Sequence, residues 1–332
     1  MKELSKTGLK YMLATRCFTY NHAYCIEQAL NGFIIQQTEF PFVVVVVDDA
    51  SPDGEKDIIQ QWILNLRHKG SKVESEKKDY GLLTTVQPSN NKNCYMVFLL
   101  LNENHTQTGR GDKKLDYISE WMGASKYHAW CEGDDYWIDP TKLQKQVAFL
   151  ENNPDYSMCY HNAIKLYMQG NRVSLFNACK DVYDLSMEDA INKWSVPSAS
   201  IVYRSSYSDY PSWLAHIYSS DYALILRCRH GGKVRCMPDI MSVYRINEVG
   251  DSASARMKGK MLFICEQHVK LLDSFNQGTG LLYDDIISKR VSYLKTEIDY
   301  LKSIERGWLF CLFNKAFYKK MLEKARSFLK YR

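Results

Sequence analysis

The stretch CEGDDYW, Cys131 to Trp137, carries three carboxylates, Glu132, Asp134 and Asp135, within four positions. Adjacent carboxylates in a confined site raise one another's pKa unless a cation, a basic side chain or water relieves them. Two readings stay open on the triplet alone: it holds a divalent metal, or it is a solvated turn. A second acidic stretch, Asp48 and Asp49 in VVVVVDDAS, closes a run of five valines, Val43 to Val47. β-Branched residues that are apolar on both faces suit a central parallel strand covered by helices on either side, which leaves only its carboxyl end free. The segment KYHAWCEGDD reads the same way, so both acidic stretches are expected at strand carboxyl ends of one sheet. Mg²⁺ or Mn²⁺ takes oxygen ligands, often one or two protein carboxylates, and completes its shell with water and substrate phosphates. The joint placement therefore predicts a metal–diphosphate substrate rather than an all-protein metal cage.

The elements that must position these groups alternate along the chain. LKYMLATRCFTYNH reads as a strand, AYCIEQALNGFIIQQ as a helix, the valine run as a strand and EKDIIQQWILNLRHKG as a helix closing with glycine. SKVESEKKDYGLLTTVQPSNNKN is polar and punctuated and is expected to be an excursion or flexible loop. CYMVFLLLNENHTQTG resumes as a buried strand, KKLDYISEWMGA as a helix, and IDPTKLQKQVAFLENNP as a helix that Asp139 can cap, with Pro140 in its first turn. YSMCYHNAIKLYM, SASIVYRSS and KVRCMPDIMSVYRI read as further strands, with SSDYALILRCRHGG a helix before the last. This order predicts a doubly wound α/β domain whose ligands gather at strand carboxyl ends.

Composition narrows the class. At 332 residues, with 45% hydrophobic and 13% aromatic residues, the chain can bury a core without staples. The ten cysteines form no Cys-x-x-Cys pair and no zinc-spaced Cys/His cluster, which reads as reduced thiols in the cytoplasm. The first residues lack an apolar signal-peptide region and no apolar run reaches membrane-spanning length, so the chain is expected neither to be secreted nor to cross a bilayer. The net charge of +5 is uneven: Arg306 to Arg332 carries +7, and the remainder sums to −2, which argues against a nucleic-acid groove.

Three blocks, FTYNHAYCIEQALNGFIIQQTEFPFVVVVVDDASPDG, HAWCEGDDYWIDPTKLQKQVAFLENNP and SSDYALILRCRHGGKVRCMPDIMSVYRI, occur in an order and spacing that resembles glycosyltransferase family 2, the nucleotide-sugar glycosyltransferases of the GT-A type. The resemblance runs from about Lys10 to Ser254. It implies a Rossmann-like, mostly parallel central sheet flanked by helices over residues 1–255, with a nucleotide-binding half to about 138 and an acceptor half from about 139. Residues 256–332 then form a helical, basic C-terminal extension. By the same resemblance Tyr20 and Asn21 meet the nucleotide, and Asp49 accepts the N3–H of a uracil-like base. Asp134 and Asp135 stand as metal ligands for Mn²⁺ or Mg²⁺, with Glu132, one methylene longer than the commoner aspartate, beside them. Asp221 stands as general base toward the acceptor hydroxyl, in a single displacement that inverts the anomeric carbon. Arg245 stands as a diphosphate contact; Asn247 replaces a histidine that often follows in the family, and asparagine cannot titrate.

Plainer roles compete for some of these residues. Asp48 reads as the start of a capped turn, Asp221 can be a helix N-cap, Arg245 a structural arginine, and His161 a satisfied core histidine. Trp130, Tyr136 and Trp137 read as packing. In the tail, Phe310, Phe313, Phe317, Met321, Ala325 and Phe328 fall on one helical face with Lys315, Lys319, Arg326 and Lys330 opposite. That pattern suits a helix lying on an anionic membrane surface, where each basic residue contributes about 1 kcal/mol, or one packing back on the domain. The leading expectation is an inverting transferase moving a sugar from a nucleoside-diphosphate donor, uracil being the favoured base, to a glycan or lipid-linked acceptor in surface polysaccharide synthesis. It would work in the cytoplasm or at the cytoplasmic membrane face, without nucleic acid. A Mg²⁺-dependent nucleotidyltransferase and a catalytically inactive binding or scaffold domain are the alternatives.

Overall fold

The computed structural model of the protein describes residues 8–305 except 171, 178–180, 194, 210, 215–217 and 248–259. The amphipathic tail expected over 306–332 lies outside the described residues. By contact the chain divides into two units: Met1–Ser186, Trp194–Ser208 and Arg227–Ile246 form the first, and Met187–Lys193, Asp209–Leu226 and Asn247–Arg332 the second.

The first unit contains a twelve-stranded mixed sheet. Strand β1 (Tyr11–Thr19) runs parallel to β2 (Phe42–Asp48) on one side and to β6 (Ser125–Trp130) on the other. β2 in turn pairs in parallel with β5 (Cys94–Leu101). Val44 and Val46 face one side of the sheet and Val43, Val45 and Val47 the other, all fully buried. On the first side they meet helix α1 (Ile26–Ile34), through Ile26, Ala29, Leu30 and Phe33, and helix α2 (Glu55–His68), through Ile59 and Trp62. On the second they meet Ile118 and Trp121 of helix α3 (Lys113–Gly123). Each buried valine contributes about 1.5–3 kcal/mol, so this strand is a principal source of the unit's stability.

The polar segment expected as a loop is instead a hairpin, β3 (Lys72–Lys78) and β4 (Gly81–Gln87), antiparallel to each other and joined to the sheet through β5. β3 lies at the sheet edge with most of its side chains exposed, so it carries no apolar alternation for a sequence to display. Beyond β6 the sheet continues through β11 (Val202–Arg204) and β8 (Tyr156–Tyr167) to the long β12 (Lys233–Ile246), with β10 (Tyr183–Asp184) at the far edge. The short β9 (Arg172–Leu175) pairs with β8, and β7 (Tyr136–Trp137) with β12. Helix α4 (Lys142–Asn152) follows the acidic turn and buries Leu143, Val147 and Leu150, with the Asp139 carboxylate accepting from the Thr141 N–H at 2.7 Å just ahead of it.

The described residues of the second unit are mainly helical. The unit includes α5 (Met187–Asn192), the first turns of α6 (Ser220–Gly231), α7 (Met261–Gly278) and α8 (Asp284–Glu305). Leu214, Ala223 and Leu271 form its small core with Trp213 and Tyr222 against them. No helix among the described residues is long and apolar enough to cross a membrane.

Candidate active site

Parallel pairing brings the loops after β1, β2 and β6 to one edge of the sheet, because Thr19 stands opposite Asp48 and Arg16 opposite Trp130. Asn21 in the first loop and Ala50 in the second hold φ values of +60° and +58°. Left-handed backbone at non-glycine residues costs about 1–2 kcal/mol each and persists only where surrounding bonds fix it. Here Asn21 N–H donates to Ser51 Oγ at 3.1 Å, Ala23 N–H to Asp53 Oδ2 at 2.9 Å and His22 N–H to Glu55 Oε2 at 2.9 Å. Glu55 is fully buried, bonds the Thr19 hydroxyl and shares the single Ser51 hydroxyl proton with Asp48. Asp48 begins a capped turn, its Oδ1 accepting the Ser51 N–H at 3.1 Å. Burial, opposed by the Ser51 hydroxyl and reinforced by the Glu55 charge, pushes its carboxyl up to about 6.

Asp49 is occupied on both oxygens. Oδ1 accepts the His105 N–H at 2.7 Å, and Oδ2 accepts the Thr106 N–H at 3.1 Å, the Thr106 hydroxyl at 2.6 Å and Lys114 Nζ at 2.9 Å. Burial alone would raise this carboxyl; the Lys114 ammonium, Thr106 and the His105 N–H outweigh it and hold it below its ordinary value. The carboxylate assigned from sequence to a base's N3–H is thus the anchor of the loop after β5, and Tyr20, whose hydroxyl accepts from Gln107 Nε2 at 3.0 Å, ties that loop to β1. Sequence reasoning missed His105, Thr106, Gln107 and Lys114. The available signal was a polar NENHTQTG stretch at the carboxyl end of a buried strand.

The acidic turn continues β6 alongside β1: Cys131 N–H donates to Arg16 O and Gly133 N–H to Phe18 O, both at 3.1 Å. Its three carboxylates have different fates. Glu132 accepts from Arg16 Nη2 at 3.1 Å and from Phe18 N–H at 2.7 Å, so both oxygens hold the turn onto β1. Asp135 is buried, and its Oδ1 accepts the Arg245 N–H of β12 at 2.8 Å. Burial, then the neighbouring Asp134 charge, push its carboxyl well above the usual range. Asp134 keeps a partly exposed carboxylate that accepts no hydrogen bond among the described residues and faces the His22 ring, Nε2 to Oδ2 3.9 Å.

Arg245 lies over the Tyr136 ring at 4.6 Å and donates to the Asp134 carbonyl and to Gln28 Oε1, supporting the turn from behind. Trp130 and Trp137 pack: the first stacks on the Arg16 guanidinium at 3.9 Å, and the second is buried against Phe33 with its Nε1–H on Ala199 O at 2.8 Å. His161 is fully buried, with Nδ1 at 2.7 Å from Asn162 O, and burial lowers its pKa well below the ordinary histidine value. Asp221 belongs to the second unit, at the start of α6, where its Oδ1 accepts the Tyr222 N–H at 2.8 Å and its charge opposes the burial that lowers His268.

Among the described residues no three His, Cys, Asp or Glu side chains converge to cage a metal. The turn suits a hard divalent cation that takes few protein ligands, since the Asp134 carboxylate accepts no hydrogen bond among the described residues and stands beside a second carboxylate, Asp135. No family model matches the chain. Over 229 residues it is 31% identical to the uncharacterized protein Rv1520 of Mycobacterium tuberculosis and to the uncharacterized protein Mb1547 of Mycobacterium bovis, covering 68% of this chain and 56% of either relative. The chain thus spans about half the length of the curated relatives it matches. Among solved structures, the mannosyltransferase PcManGT from Pyrobaculum calidifontis in complex with GDP-Man and Mn²⁺ superposes with a TM-score of 0.52 at 13% identity, over 100% of this chain and 86% of that one. The two chains share a fold. TarS of S. aureus in complex with UDP-GlcNAc is similar at a TM-score of 0.48 and 14% identity, over 86% of this chain and 80% of that one.

Proposed function

We propose that this protein is a metal-dependent glycosyltransferase of the family 2, GT-A type that takes its sugar from a nucleoside diphosphate, with UDP the favoured carrier. The observation that carries the reading is Asp134: an acidic side chain that accepts no hydrogen bond among the described residues, held at the carboxyl end of β6 by Glu132 and Asp135, next to the loops that end β1 and β2. The fold shared with a transferase bound to GDP-Man and Mn²⁺ supports it.

In this reading Tyr20, Asn21 and the loop anchored by Asp49 receive the nucleoside. Asp134 and Asp135 hold the cation, and Arg245 adds positive charge behind the diphosphate. A bound divalent cation neutralises charge on the departing nucleoside diphosphate. Asp221 accepts the acceptor hydroxyl's proton as that oxygen forms its bond to the anomeric carbon and the bond to the diphosphate oxygen breaks, so one displacement inverts the centre. The acceptor is a glycan or a lipid-linked glycan of surface polysaccharide synthesis, met at the cytoplasmic membrane face through the basic segment 306–332.

Calorimetric titration with UDP, GDP and dTDP, with Mn²⁺ and again with chelator, tests the reading. One nucleotide should bind with Mn²⁺ only, and Asp134→Ala should abolish that binding. A folded protein that binds none of the three overturns it.

A further inference from the structure

In the sheet β1 and β5 flank β2, and the loops that follow β1 and β5 are bonded to each other across the end of β2. The bond joins two side chains: Gln107 Nε2 donates to the Tyr20 hydroxyl at 3.0 Å. Asp49, the first residue past β2, is only 2% exposed, and four donors take its two oxygens. A base reaches that carboxylate only by displacing donors it already has.

What Asp49 fixes is the chain beside it. His105 and Thr106 give it their backbone N–H groups, and they are the two residues before Gln107. The Gln107 N–H donates to Asn104 Oδ1 at 2.7 Å and the Arg110 N–H to the His105 carbonyl at 2.8 Å, which completes the turn. Gln107 is therefore an exposed side chain on a backbone pinned from below, and its carboxamide is only partly used. Among the described residues Oε1 accepts no hydrogen bond, and Nε2 has a second N–H besides the one on Tyr20.

An acceptor beside a donor in one plane matches the edge of uracil, where N3–H stands next to a carbonyl, and that of guanine, where N1–H stands next to O6. A carboxamide reads such an edge with two hydrogen bonds, as it reads adenine in a DNA groove. It can do so here while one N–H stays on Tyr20, so the bridge between the loops is kept. We propose that Gln107 reads the ring N–H and adjoining carbonyl of the donor's base, and that Asp49 is a positioning residue that holds Gln107 in place. The proposal rests on the reading of this sheet edge as a nucleotide site with Tyr20 at the nucleoside.

The test is calorimetric titration of the full chain, with Mn²⁺, against UDP and N3-methyl-UDP and against GDP and N1-methyl-GDP; in each pair a methyl group replaces the ring proton. The wild type should bind the unmethylated member of one pair, and methylation should weaken that binding about tenfold or more. Gln107→Leu, which keeps the bulk and loses both polar atoms, should bring the two members of that pair close to equal. Gln107→Glu, which still accepts from the ring N–H, should keep the preference. A wild type that binds a nucleotide but does not distinguish its methylated form overturns the role of Gln107 and leaves the nucleotide site standing. So does a preference that survives in folded Gln107→Leu or is lost in folded Gln107→Glu as well. Failure of the folded wild type to bind UDP or GDP overturns the nucleotide site and this proposal together.

Discussion

Lys114 Nζ lies 2.9 Å from Asp49 Oδ2, and both side chains are almost wholly buried where the loop after β5 meets the end of β2. Removing one member of a buried pair leaves an uncompensated charge, at a cost of about 3–5 kcal/mol. Lys114→Met should lose stability on that scale in urea unfolding and weaken nucleotide binding with it. Adding Asp49→Asn to Lys114→Met should cost less than the two single changes summed, as coupled neighbours do. A purely base-reading Asp49 would instead alter base preference and leave stability untouched.

Asp48 gives a pH signature. Its folded pKa, about 6, lies above the unfolded value of roughly 3.9, so the stability it contributes is complete below about pH 4 and is lost as pH rises through about 6. Thermal melts between pH 4 and 7 should show a decline of up to about 3 kcal/mol from this residue, and Asp48→Asn should flatten it.

Lys142 is fully buried, 4.2 Å from the Trp137 ring centre and 2.8 Å from Gln146 Oε1. Burial lowers its ammonium to about 7. A lysine depressed in this way contributes stability above its unfolded pKa of roughly 10.4 that is lost as pH falls through about 7. Lys142→Met should therefore be the more stable protein near pH 6, by about 2–3 kcal/mol after the Gln146 oxygen loses its donor, and the gap should close as pH rises toward 10. Chemical denaturation at a series of pH values reads this directly.

A Cβ at position 133 would meet Thr19 Oγ1 at 2.1 Å and His22 Nδ1 at 3.1 Å, so Gly133→Ala should drive both away from the acidic turn. Overpacking of a tight contact costs about 1–3 kcal/mol, which a melt would register, and Mn²⁺ affinity should drop further than that loss of stability explains.

If Asp221 is the general base of the proposed reaction, Asp221→Asn should separate binding from chemistry. Nucleotide affinity in the presence of Mn²⁺ should stay at the wild-type value, while sugar transfer, followed as nucleoside diphosphate release, should fall about 10²–10⁴-fold.

Much of the frame was legible because burial on both faces leaves a mark on residue types. The five valines between Phe42 and Asp48 announce a covered parallel strand, and Ile26, Ala29, Leu30 and Phe33 announce the helix beside it. β3 left no such mark, since an exposed edge strand of Lys and Glu residues looks like a loop in sequence. Asp49 was legible as a carboxylate at a strand end but not as an anchor, because His105, Thr106 and Lys114 stand 56 to 65 residues further along the chain. Lys142 is hidden for a related reason: its position in an amphipathic helix gives no hint that Trp137 and Gln146 enclose it.

The acidic turn is fastened at both ends by partners far away in the chain, Glu132 to Arg16 across 116 residues and Asp135 to Arg245 across 110. At the roughly 5–20 residues per second of protein synthesis, about ten seconds to most of a minute separate the appearance of Arg16 from that of Arg245. For most of that interval the nascent chain carries β1 and its valine-rich neighbour without the strand that clamps Asp135. A fragment ending before β12 therefore keeps the contacts of Glu132 with β1 but lacks the Arg245 N–H that Asp135 accepts, and its unpaired strands are the part of the chain that chaperones would have to shield.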